Sequence, residues 1–181
     1  MKHEYSVQSL NIVQFAKQEG QLQATVPLAD MPRLLRETLP TDQSVAVYIQ
    51  ARGWMQADAS GAQEPWLHLQ STATLRQTCQ RCLQPVDMAM QVDRQFRFVA
   101  TEELAEIEDE ESEEDVLVIS QTFSVQELAE DEFLMDMPAI PMHAVCPQPV
   151  RMAVQDKDFD QGESEKPNPF AVLQQFKKGG S

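Results

Sequence analysis

The stretch Thr78-Cys79-Gln80-Arg81-Cys82-Leu83-Gln84-Pro85 lies between two runs of strand-like sequence, and its reading decides the fold. Before it, Leu67, Leu69, Ala73 and Leu75 alternate with His68, Gln70, Thr72, Thr74 and Arg76. After it, Val86, Met88, Met90, Val92, Phe96 and Phe98 alternate with Asp87, Gln91, Asp93, Gln95 and Arg97. A period of two gives each strand one apolar and one polar face. A short polar connection closed by a proline then predicts a long antiparallel hairpin with both thiols at its tip.

Cys-x-x-Cys has three readings. It supplies two of four zinc ligands, because the spacing lets both thiolates turn toward one ion. It serves as a redox dithiol at a helix N-terminus in a thioredoxin-like setting, whereas the setting here is a hairpin. It also occurs as a tight turn without chemistry. A second pair at the same spacing, His143-Ala144-Val145-Cys146, lies far along the chain. Cys79, Cys82, His143 and Cys146 are therefore the candidate ligands of a structural zinc ion.

Working outward, the 181 residues and 42% apolar content predict one domain with a flexible appendage. No apolar run approaches the ~18 residues of a membrane span, and no basic-then-apolar leader opens the chain. Three cysteines, an odd number, fit a reducing compartment, so the expected location is the cytoplasm. The net charge of −15 speaks against a sequence-independent grip on phosphates. Ten of the fourteen residues from Glu102 to Asp115 are acidic, however, and without them the chain would stand at −5. Arg76, Arg81, Arg94 and Arg97 sit on or beside the hairpin, so a local basic surface is compatible with an acidic whole.

Upstream, Asn11 caps a short helix that Gly20 stops, and Gln21 to Leu28 alternates as a strand. Asp30 is read as the cap of a second short helix with Pro32 in its first turn. Ser44 to Trp54 is the next strand. Downstream, the acidic run from Glu102 to Asp115 reads as a solvated loop, or as a mimic of nucleic-acid charge facing a basic partner. Val116 to Ile119 is a short buried strand, and Ser124-Val125-Gln126-Glu127 opens a helix running to about Met137. The sum is an α+β fold: an antiparallel sheet, open or closed into a barrel, with a central hairpin and short peripheral helices. One domain spans residues 1–150. An acidic linker and a short helix over 168–178 follow, with Phe170, Leu173 and Phe176 on one face to dock on the domain or a partner.

No phosphate loop, nucleophile elbow or catalytic triad is apparent, so nothing positive argues for an enzyme. Several motifs resemble the bacterial YceD family, the large-ribosomal-RNA-subunit accumulation proteins. They are Cys79-Gln80-Arg81-Cys82 with Pro85, Glu130-Asp131-Glu132 leading to Pro138, and Pro141-Met142-His143 with Cys146. The ending Lys166-Pro167-Asn168-Pro169-Phe170-Ala171-Val172-Leu173 completes the set. The resemblance implies a role in the synthesis, processing or stability of 23S ribosomal RNA, and no catalytic residue. Arg76, Arg81, Arg94 and Arg97 then become candidate RNA contacts on 23S RNA or a precursor large subunit. The alternative is an acidic module that escorts a basic ribosomal protein through Glu102 to Asp115.

Overall fold

The computed structural model describes residues 5–40, 45–58, 61–109, 112 and 114–148. The hairpin forms as its alternation predicts. Strand β3, Gln63–Thr78, pairs antiparallel with β4, Pro85–Val99, in a register running from Trp66↔Arg97 to Thr78↔Pro85. Ahead of them, β1 (Gln21–Pro27) and β2 (Ala46–Ala57) continue the antiparallel meander. A last strand, β5 (Asp115–Val118), joins β4 in parallel, giving the order β1-β2-β3-β4-β5. The fold is α+β. The sheet is mixed at one edge, and it is open rather than closed into a barrel.

The parallel edge has a local cause. Parallel neighbours need a crossover connection, usually a helix, and the acidic run supplies it. Its first residues form helix α3, Glu102–Asp109, where a solvated loop was the expectation. Glutamate, leucine and alanine are good helix formers, and Glu102 and Glu103 in the first turn suit the positive end of the helix. Ala105 is buried with Val99 and Val116, which ties the helix to β4 and β5. Glu110, Glu111 and Glu113 of the run lie outside the described residues, as do residues 151–181 with the linker, Phe170, Leu173 and Phe176.

Three further helices, α1 (Ile12–Lys17), α2 (Pro32–Arg36) and α4 (Val125–Asp136), contribute to one core. Two of their caps are those the sequence predicts: Asn11 Oδ1 accepts from Gln14 N at 3.0 Å, and Ser124 Oγ from Glu127 N at 3.1 Å. Asp30 does not cap α2. That role falls to Glu130 of α4, whose Oε1 accepts from the amides of Arg33 (2.7 Å) and Leu34 (2.9 Å). Buried Glu130 thus satisfies helix donors that would otherwise be orphaned.

Phe15, Ile49, Leu67, Leu75, Phe96 and Phe133 are buried together in that core. Gly20 and Gly53 leave room for the Phe15 ring, since a Cβ on either would lie within 2.6 Å of it. Leu10 and Phe123 exchange backbone hydrogen bonds of 2.8 Å, joining the N-terminal segment to the approach of α4. The opposite face of the sheet carries Tyr48, Gln50, Arg52, His68, Gln70 and Thr72. At its β5 end lie the stacked rings of Trp54 and Trp66, 5.8 Å apart.

Candidate metal centre at the hairpin tip

Six residues, Cys79 to Gln84, turn β3 into β4. Cys79 N donates to Gln84 O at 2.9 Å and Leu83 N donates to Cys79 O at 2.8 Å. Leu83 takes a left-handed conformation (φ 57°) to close the turn, at a steric cost that a non-glycine residue bears only when held there. The effect is to turn the Cys79 thiol inward, where it is fully buried.

Pro138 and Pro141 keep the chain after α4 out of helix and in an extended form. That segment folds back on the tip. Gln80 N donates to Pro141 O at 2.8 Å, and the Arg81 guanidinium donates to His143 O at 2.9 Å. His143 N points at Cys79 Sγ (3.4 Å), while Cys82 Sγ lies 3.4 Å from His143 Nδ1. One ligand atom from each of Cys79, Cys82, His143 and Cys146 falls within 4.8 Å of all the others.

This arrangement suits a tetrahedral ion. Zinc bonds of about 2.0–2.3 Å place ligand atoms roughly 3.3–3.8 Å apart, so small side-chain rotations would close the site. Three sulfurs and one imidazole nitrogen form a known structural donor set with no position left for substrate. All three cysteines are free thiols. Burial raises the Cys79 pKa, but the amides of His143, Cys82 and Arg81 and the His143 side chain outweigh it and bring the group to about 5. Cys146 is pushed up to about 11, first by burial and then by its hydrogen bonds to Cys82 and Cys79 and their charge. The cluster therefore favours one thiolate while resisting a second, the imbalance that a divalent cation relieves.

The candidate RNA contacts are not brought together. Arg76 makes a two-point pair with Asp87, at 2.6 and 3.1 Å, directly across the hairpin. Arg94 turns to the helix side of the sheet, 3.6 Å from buried Glu132 of α4. Arg97 points to the other side, only 13% exposed, between Glu64 and Glu108. Arg81 stays at the tip beside the cysteines.

Sequence reasoning assigned no role to the individual carboxylates of Glu130-Asp131-Glu132. Glu130 and Asp131 both bind Arg33, and Glu132 faces Arg94. The available signal was three consecutive acids on a helix that otherwise contributes apolar residues to the core. No helix among the described residues is long and apolar enough to cross a membrane.

No curated protein and no solved structure gives a significant match to this chain. The family model described as large ribosomal RNA subunit accumulation protein YceD matches residues 67–177, which take in the hairpin, the crossover, α4 and both ligand pairs. The chain belongs to the YceD family.

Proposed function

We propose that this protein is a non-catalytic cytoplasmic factor for the large ribosomal subunit, acting in 23S RNA synthesis, processing or stability by binding that RNA or its precursor particle. The observation that carries the reading is the meeting of Cys79, Cys82, His143 and Cys146 at the tip, within a chain of this family. A closed four-ligand zinc site has no coordination position for a reactant, so it fastens two segments instead of performing chemistry. Metal binding there is folding free energy, and it would fix the segment after α4 against the hairpin. In sucrose gradients of lysate from assembly-arrested cells, the protein is expected to travel with large-subunit precursors. Recovery only in the top fractions overturns the reading.

One observation favours a second reading, escort of a basic ribosomal protein. On α3, Glu102, Glu103, Glu106 and Asp109 all face solvent, with exposed Ile107 among them. Such a surface attracts a cationic partner and offers it an apolar contact. Changing Glu102, Glu103 and Glu106 to Gln would abolish capture of ribosomal proteins under this reading. Unchanged capture eliminates it.

A further inference from the structure

We infer that the open face of the sheet, centred on Tyr48, is a platform for two or three unpaired RNA bases. The inference rests on the reading of the chain as an RNA factor, and it places the contact away from the hairpin tip.

Tyr48 is 59% exposed on the solvated face of the sheet, and its ring is free to stack. It stands between two grooves. One, of about 500 Å³, is lined by Tyr48, Thr72, Thr74, Ala89 and Gln91. The other, of about 200 Å³, shares Tyr48, Thr72 and Gln91 and adds Gln50 and Gln70. Those two glutamines also line a third groove, of about 280 Å³, with Arg52 and His68. The three form one track across β4, β3, β2 and β1. Strands about 4.8 Å apart make such a track roughly 14 Å wide, enough for two or three stacked or splayed nucleotides.

The chemistry of the face selects the occupant. The chain carries −15, yet here the carboxylates are engaged: Glu64 and Glu108 share Arg97, Asp87 pairs with Arg76, and Asp93 hydrogen-bonds His68. Gln70 Nε2 also donates to Asp93, at 3.0 Å. Arg52 stands exposed at the far end of the track, a cation placed to meet a phosphate. Side-chain amides donate and accept, as base edges do, and a tyrosine ring offers a stacking surface indifferent to base identity.

The test uses the full chain and a labelled single-stranded RNA of about 12 nucleotides, with its duplex as comparison. The single strand is expected to bind about tenfold or more tightly than the duplex. Tyr48→Ala should weaken binding about tenfold, while Tyr48→Phe retains it because stacking survives. Gln70→Ala with Gln91→Ala should also weaken it, with melting temperature checking the fold. The dependence of log K on log salt should be shallow, a slope of about −2 or less steep, since few phosphates are gripped. Failure of the unmodified chain to bind the single strand, or unchanged affinity in Tyr48→Ala, overturns the platform. So does Tyr48-dependent capture of a ribosomal protein without RNA crosslinks on this face. If the protein still travels with precursor subunits, only the platform falls. If it does not, the functional reading falls with it.

Discussion

Cys82 Sγ and His143 Nδ1 lie 3.4 Å apart although sixty-one positions separate them in the chain. A contact this long-range between two metal-binding groups is expected to be held by the metal itself. Protein purified without added metal should carry about one equivalent of zinc, and Cys79→Ser or Cys82→Ser should lose it. A chelator should loosen the segment from Pro138 to Cys146 before the sheet, seen as early amide exchange there. Less than about a tenth of an equivalent, with a melting temperature unmoved by chelator, rejects the site.

The cap that Glu130 gives α2 should be costly to remove. Glu130→Ala leaves the Arg33 and Leu34 amides without their acceptor and takes a partner from the Arg33 guanidinium. The expected loss is about 2–4 kcal/mol by denaturant unfolding. Glu130→Gln keeps an acceptor oxygen and should lose less than half as much. Equal losses for the two variants would show that the charge, not the cap, matters.

A Cβ at position 53 would sit 2.6 Å from the Phe15 ring and 3.2 Å from the Ala16 Cα. Gly53→Ala should therefore destabilise by about 1–3 kcal/mol through overpacking. Combining it with Phe15→Leu should recover part of that loss, a coupling that a double-mutant cycle reads directly. Purely additive losses would place the strain elsewhere.

Glu132 supplies a pH dependence. Burial raises its carboxyl above the usual range; Arg94 opposes this, and Asp115, Asp131 and Asp136 reinforce it. A folded-state pKa above the unfolded one means the group favours folding when protonated. That contribution is complete below about pH 4.5 and fades as pH rises through the elevated folded value. Glu132→Gln should raise the melting temperature at pH 7 by about 2–4 °C, with the gain vanishing below about pH 4.5. A variant that melts lower than the parent at pH 7 would mean that attraction to Arg94 outweighs the cost of burying the charge.

Much of the fold was legible because its signals are local. Alternation from Leu67 to Leu75 and from Val86 to Phe98 placed the hairpin, and Asn11 and Ser124 marked helix starts by their own side chains. What escaped was set at a distance. Nothing near Asp30 says that Glu130, a hundred residues on, supplies the acceptor for α2. Nothing near Arg97 says that Glu64 and Glu108 enclose it. The acidic run misled because its net charge concealed the alanine and leucine that let it form a helix. The candidate ligands were legible as two pairs, but the fold-back that sets Pro141 against Gln80 and brings the pairs together is encoded by no periodicity.

The dependence of the early sheet on a late helix has a consequence for synthesis. Leu75 leaves the ribosome well before Phe133, the α4 residue that joins it in the core. At 5–20 residues per second, the roughly sixty residues between them take about 3–12 s to make. For that interval the sheet is formed or forming with part of its apolar side uncovered. A factor for large-subunit RNA would thus begin life as a client of the folding machinery around the nascent chain, and chains stalled before Phe133 should bind that machinery while longer ones release it.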